Sequence, residues 1–248
     1  MQVQAYPSVC FIVHVDFSER LSVWAYYSVR ERTSGTQGGR DMAYYVDIHP
    51  QNPQMRLVDK VVDRLRQGQV AAIPTDSGFA IVCTMANKDG LERIRTIRHV
   101  GAKHHFTILC HDFAQLGRLV FLDNAEFRLL KAATPGPYTF ILRGTKEVPR
   151  ITLHPKKNTI GVRLPEHTIC QAILEQLGEP LLSSSLIMPG ETEPLTEGWV
   201  VNDRLGHVLD VVVDGPVGHN GFTTVVDFTS GSPVIAREGA GSTELFLS

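Results

Sequence analysis

The 248-residue chain has no apolar run near the roughly 20 residues that a membrane-spanning helix needs. Cysteine is sparse, and Cys10, Cys83, Cys110 and Cys170 are too scattered for a zinc spacing or a disulfide framework. Cys83, Cys110 and Cys170 sit in apolar runs, so reduced buried thiols in a cytoplasmic protein are expected. Neither G-x-x-x-x-G-K-S/T nor a G-x-G-x-x-G after a strand is present, which sets aside ordinary P-loop and dinucleotide sites. G-x-S-x-G is missing too, so no nucleophile elbow is expected. No His, Cys and Asp residues share the spacing of a tight metal site; His104 and His105 are adjacent and diverge on any regular element.

Net charge is also small, at −2, but it is unevenly placed. Residues 88–163 carry 14 Lys and Arg against 6 Asp and Glu, whereas residues 164–248 carry 2 against 12. A basic middle segment suits a phosphate-bearing ligand. Residues 1–41 read differently from the rest. Their apolar octet at 8–15 has no basic segment before it and no clean small-residue cleavage site after it, unlike a secretory signal. Residues 30–41 are polar and glycine-rich, as in a disordered linker. Two alternatives stand: residues 1–41 are a disordered extension, or the true start is Met42. In both, residues 42–248 form the folded domain.

Within that domain, helical and strand periodicities alternate. Asn52-Pro53 ahead of Leu57, Val58, Val61, Val62 and Leu65 predicts an amphipathic helix with Asn52 as cap, Pro53 at its first position and Gly68 after its end. Asp89-Gly90-Leu91-Glu92 opens a second helix with cap-box-like spacing and an apolar stripe of Leu91, Ile94 and Ile97. Asp112 caps a short third helix. Residues 123–133 form a fourth with Phe127 and Leu130 inward, and 165–177 and 196–205 are further helices. Strands are expected at 69–73, 79–83, 106–110, 138–142, 159–163, 180–184, 209–213, 223–228 and 233–237. Pro74 cannot extend a central ladder, so the first of these should stop before it. Interleaved helices and strands with a strand-rich C-terminal third argue for an α/β layer fold on a mixed sheet.

Phosphate recognition here must come from scattered strand ends, where hydroxyls, guanidinium groups and free N–H groups can converge. Arg163 ends an otherwise apolar strand, where a lone cation is unfavourable unless paired or used. It either bridges to a C-terminal acid or faces a ligand. Arg237 follows Val234-Ile235-Ala236 in the same manner. Ser183 and Ser185 share a face by side-chain alternation, unless the run is merely a polar turn. Thr75, Thr139 and Thr224 are either strand-end ligands or plain β-formers. Arg95, Arg98, His99, Lys103, His104 and His105 make the densest cationic cluster, which is either a solvated face or a phosphate contact.

Several segments in order resemble the motifs of the YrdC/YciO/TsaC family. They are Pro74-Thr75-Asp76-Ser77-Gly78-Phe79, Thr134-Pro135-Gly136-Pro137-Tyr138-Thr139, Gly161-Val162-Arg163-Leu164-Pro165, Ser183-Ser184-Ser185, Thr223-Thr224-Val225-Val226-Asp227 and Arg237-Glu238-Gly239. The match spans roughly residues 45–245 and in detail is nearest the YciO branch. It implies one open twisted sheet of parallel and antiparallel strands, helices packed on it, and a large basic concave cavity. Active members of the YrdC/TsaC group condense L-threonine, bicarbonate and ATP, with Mg2+ travelling on the ATP. The products are threonylcarbamoyl-adenylate, the donor for threonylcarbamoyladenosine in tRNA, and pyrophosphate.

Carried over by position, the resemblance implies that Thr75, Ser183 and Thr224 meet threonine. Arg98, Lys103, Arg163, Ser185 and Arg237 meet the nucleotide, and Thr139 lines the cavity. It assigns no certain catalytic residue and no metal held by protein alone. Two positions depart from the family pattern. Thr96-Ile97-Arg98 lacks the lysine of K-x-R, for which Lys103 is the substitute, and Ser185-Leu186-Ile187 lacks the asparagine of S-x-N. One charge and one amide fewer at a phosphate site would remove about 2–4 kcal/mol of transition-state stabilisation. In rate that is about 30- to 1000-fold. The expectation is therefore a threonylcarbamoyl-adenylate synthase-like nucleotidyltransferase of reduced activity. Its rival is a non-catalytic paralogue that holds double-stranded RNA, tRNA or a nucleotide in the same cavity.

Overall fold

The structure, a computed structural model, describes residues 42–101, 104–218 and 221–247. The expectations for residues 1–41 and for Lys103 lie outside the described residues. In chain order the elements are β1 (Tyr44–Asp47), α1 (Met55–Arg66), β2 (Ala71–Thr75), β3 (Gly78–Thr84), α2 (Lys88–Arg98), β4 (Thr107–Leu109), α3 (Phe113–Leu119) and α4 (Asn124–Ala133). Then come β5 (Tyr138–Arg143), β6 (Thr159–Arg163), α5 (Thr168–Leu177), β7 (Leu181–Ser185), α6 (Gly198–Leu205), β8 (Val211–Asp214), β9 (Thr224–Asp227) and β10 (Val234–Arg237).

These strands make one mixed sheet in the order β1-β8-β2-β3-β7-β4-β6-β5-β9-β10. β8 runs parallel to β1 and β2, β4 to β6, and β5 to β9; the other neighbours are antiparallel. The expected α/β fold with a mixed sheet is what the chain adopts.

Side-chain alternation splits the apolar residues between the two faces. Ala71, Ile73, Ala80, Val82, Leu181, Val211 and Val213 point to one face, under Val58, Val61, Val62 and Leu65 of α1 and Ile169, Ile173, Leu174 and Leu177 of α5. The residues between them, among them Ala72, Ile81, Leu182 and Val212, point the other way and join Ile108, Phe140, Val162 and Val226. That second core is closed by Leu91 and Ile94 of α2, Leu116 of α3, Leu130 of α4 and Val201 and Leu205 of α6. It runs nearly the width of the sheet. The first core takes nothing from β6, β5, β9 or β10, so α1 and α5 cover only part of their face.

Local differences from the sequence expectations have physical causes. Pro74 lies within β2, paired with Phe79 of β3. It is tolerated because β8 pairs only with Ala71 and Ala72, so no ladder on that side requires its missing N–H. α1 starts at Met55 with Gln54 as cap residue, and the Gln54 side chain instead accepts from the His49 N–H at 3.1 Å. α2 is capped by Asn87, whose Oδ1 accepts from the Gly90 N–H at 2.8 Å. α5 begins only at Thr168, because His167 Nδ1 takes the cap position. Phe127 is 40% exposed, edge-on to Phe113, where a core position was expected.

Other expectations hold. Asp112 and Asp123 cap α3 and α4, the latter in a full capping box with Glu126. Cys83, Cys110 and Cys170 are buried and unpaired, and burial pushes each thiol up to about 12. Among the described residues no helix is long and apolar enough to cross a membrane.

Candidate functional site

The site occupies the part of the sheet face that α1 and α5 leave bare. On β7, β4, β6, β5 and the β9 end, the positions in phase with that face read Ser183 and Ser185, then Thr107, then Thr159, Gly161 and Arg163, then Thr139 and Ile141, then Thr223, Val225 and Asp227. Hydroxyls and guanidinium groups thus stand where the covered half has valine and isoleucine. They floor a cavity of about 480 Å³, a volume typical of small-molecule sites. Gly161 keeps the floor low: a Cβ there would lie 3.1 Å from Thr107 Oγ1 and 3.2 Å from a Thr139 methyl.

At one end of the cavity lies the tight β2–β3 turn. Thr75 pairs with Gly78 across it, and Gly78 takes φ +111°, a region open to glycine. Thr75 Oγ1 donates to the Gly78 carbonyl at 2.6 Å and accepts from the Ser77 N–H at 3.2 Å. Asp76, wholly buried, forms an ion pair with Arg163. The acid opposite Arg163 is therefore Asp76 of the turn and not one from the C-terminal segment. Asp76 Oδ2 and Arg163 Nε have no hydrogen-bond partner among the described residues. The pair is buried, and it ties the turn to β6.

Arg98, the last residue of α2, reaches over the end of β7. Its Nε donates to the Ile187 carbonyl at 3.0 Å, and its Nη1 donates to Ser184 Oγ and the Ser185 carbonyl. His104 Nε2 lies 2.8 Å from the same Ser184 hydroxyl. Burial pushes the His104 imidazole down to about 4, with Arg98, His105 and Arg95 adding to the effect, so the ring is neutral at pH 7. Across the cavity, Arg237 donates from Nε and Nη2 to the Thr223 carbonyl at 3.2 and 3.0 Å and stacks on Phe222. Thr223 and Thr139 share a hydroxyl hydrogen bond of 2.8 Å.

Among the described residues neither Arg98 nor Arg237 has a carboxylate within ion-pair reach. Burial lowers both guanidinium pKa values from the ordinary level, and for Arg237 the neighbouring Arg163 lowers it further. Desolvated cations without counter-charge facing one hollow are the arrangement that an anionic ligand relieves.

Of the nine residues singled out from sequence, Thr75, Arg98, Thr139, Arg163, Ser183, Ser185 and Arg237 line this one cavity. Thr224 does not. It is fully buried, donating to the Gly241 carbonyl at 2.6 Å and accepting from the Gly239 N–H at 3.0 Å. It shares its face with Val226, so alternation along β9 hands the cavity position to Thr223. Sequence reasoning also passed over Ser184, His154, Lys157, Thr107 and Gly161, all of which line the cavity. The strand phase, anchored on buried Ile108 and Val162, would have found Thr107 and Gly161; nothing local marks His154 or Lys157.

A mixed sheet with one face half bared into a cationic, hydroxyl-lined hollow defines an α/β domain with a polar cavity on its sheet. The family model of the Sua5, YciO and YrdC proteins, described as Telomere recombination, matches residues 63–239, and the chain belongs to this family. It is 46% identical over 206 residues to the uncharacterized protein YciO of Escherichia coli K12, a match covering 83% of this chain and 100% of that one. The crystal structure of E. coli YciO superposes over the same shares with a TM-score of 0.80. A threonylcarbamoyl-AMP synthase of Vibrio vulnificus YJ016 is 30% identical over 164 residues, covering 65% of this chain and 87% of the synthase. The crystal structure of P. abyssi Sua5 complexed with L-threonine shares the fold, with a TM-score of 0.72 at 23% identity over 80% of this chain and 58% of that one.

Proposed function

We propose that the chain is a threonylcarbamoyl-adenylate synthase-type nucleotidyltransferase of reduced activity, acting on L-threonine, bicarbonate and ATP. The observation that carries this reading is the convergence of Thr75, Arg98, Arg163, Ser183, Ser185 and Arg237, from distant parts of the chain, on one cavity. The synthase-named relative at 30% identity and the threonine-bound fold neighbour support it.

The chemistry asks for positioning and charge more than for a nucleophile. Threonine and bicarbonate lose water to give a carbamate. A carbamate oxygen then attacks the α-phosphorus of ATP and expels pyrophosphate, leaving the mixed anhydride. Two anions must be held together while charge builds on the departing oxygen, which is work for guanidinium groups and hydroxyls in a water-poor hollow. Arg98 and Arg237 supply uncompensated charge. Thr75, Ser183 and Thr223 present short polar side chains to the same cavity. Among the described residues no cluster of three His, Cys, Asp or Glu could hold a cation. Magnesium would arrive with the substrate, carried on the nucleotide phosphates.

Reduced activity follows from Ile187. Its side chain has no amide to offer, and its carbonyl engages Arg98 Nε. A non-catalytic reading, in which double-stranded RNA or tRNA binds, draws on one further observation. A shallow groove beside the cavity is lined by Arg143, Lys156 and Lys157 around Phe121, which is 65% exposed. Pyrophosphate release from ATP, bicarbonate and L-threonine decides between them. The synthase reading expects release that depends on all three substrates and falls about 10- to 100-fold in Arg98→Ala. No release at high protein concentration, together with RNA affinity that weakens with added salt, favours the binding reading.

A further inference from the structure

In this chain the three cavity arginines each spend donors on the protein itself. Arg163 is paired with Asp76, Arg237 is bonded to Thr223, and Arg98 is bonded to Ser184, Ser185 and Ile187. The lysine that the family's K-x-R motif would place on α2 is Thr96, whose hydroxyl donates back to the Glu92 carbonyl. Among the described residues, a further charged donor on this cavity lies in the turn between β5 and β6. Lys157 lines the cavity, and its ammonium has no partner among the described residues.

That turn is well fixed. His154 N–H donates to the Thr159 carbonyl at 2.8 Å and Asn158 N–H to the His154 carbonyl at 3.0 Å, with Asn158 in the left-handed region at φ +53°. His154 Nδ1 accepts from the N–H groups of Lys156 and Lys157, at 3.2 and 3.1 Å. An Nδ1 that accepts leaves the proton on Nε2, so the ring presents an N–H donor from its other edge. The His105 ring stacks on His154, 5.3 Å between centroids and 8° from parallel, and also lines the cavity. A lysine ammonium, an oriented imidazole N–H and a second imidazole thus meet at one wall, with the Thr152 and Thr159 side chains beside them.

We propose that this wall, His105, His154 and Lys157, seats the terminal phosphates of the nucleoside triphosphate and the pyrophosphate it releases. The wall thereby adds a cationic donor that Thr96 of α2 does not provide. This subsite rests on the nucleotide reading of the cavity proposed above. Such a wall meets only the phosphates beyond the first, so it discriminates triphosphate from monophosphate.

The test is calorimetric titration of the full chain, and of Lys157→Ala, His154→Gln and the double variant, with Mg-ATP, AMP and inorganic pyrophosphate. Lys157 is exposed, so its truncation leaves the fold intact, and a melting curve for each variant checks this. The subsite predicts that Lys157→Ala weakens ATP and pyrophosphate by about 10-fold and AMP by less than about 2-fold, with a larger loss in the double variant. Wild-type binding of ATP that the variants leave unchanged, or that they weaken equally for AMP, overturns the subsite while the nucleotide cavity stands. A wild-type chain that binds none of the three ligands overturns the cavity reading and the subsite with it.

Discussion

The two halves of one sheet face differ more than the two faces do. Where α1 and α5 lie, Ala71, Ile73, Val82, Val211 and Val213 are packed dry against aliphatic helix residues. A few strands further on, the same phase carries Thr107, Thr139, Gly161, Arg163 and Ser183 and no helix. The opposite face continues apolar behind both halves through Phe140, Val162 and Val226. Backbone pairing is thus common to both regions, and the side chains on alternate positions decide whether a region is core or binding surface. On this face close aliphatic packing is confined to the covered half, and the bare half carries hydroxyls and guanidinium groups instead.

That contrast can be broken or sharpened by substitution. The largest effects are expected at two buried positions; Ile173→Ala in the covered half leaves a void beneath α5 and should lower unfolding free energy by about 2–5 kcal/mol in denaturant titration. A comparable loss, about 3–5 kcal/mol, is expected for Asp76→Ala, which strands the buried Arg163 charge. Replacing both, as Asp76→Leu with Arg163→Met, should recover most of that stability while ligand binding stays lost. Recovery of binding in the double variant would show that the pair serves the fold alone.

A smaller stability effect with a large binding effect is expected at Gly161→Val. The added methyls meet Thr107 and Thr139 and fill the cavity floor, at a stability loss of about 1–3 kcal/mol. A further effect is a pH dependence from His104. Its folded-state value, about 4, lies below the ordinary 6.5, so the unfolded chain takes the proton first. Stability should be level above pH 6.5, decline as pH falls from 6.5 toward 4, and flatten below that. His104→Gln should remove that segment of the curve.

Much of the fold was legible because apolar phase and caps are local signals. Asp123 with Glu126, Gly178 after α5, and the Thr159–Arg163 strand all stand where the sequence placed them. Helix starts were less so, since His167 and Gln54 take cap positions that weaker sequence signals do not mark. The site was read from strand ends and motif resemblance, which located the cavity through Thr75, Arg163 and Ser185. It missed by one residue at Thr224, where phase along a four-residue strand decides between floor and core. His154 and Lys157 come from a connecting segment, and their place on the cavity depends on how β5 and β6 pair, which no local pattern encodes.

The central claim is that the bare half of the face receives a nucleotide. Titrating Mg-ATP into the wild-type chain and into Gly161→Val, each confirmed as folded by its melting curve, tests it most directly. The account predicts one saturable site in the wild type, strengthened by L-threonine, and its loss in Gly161→Val. Equal ATP affinity in the two proteins would contradict it.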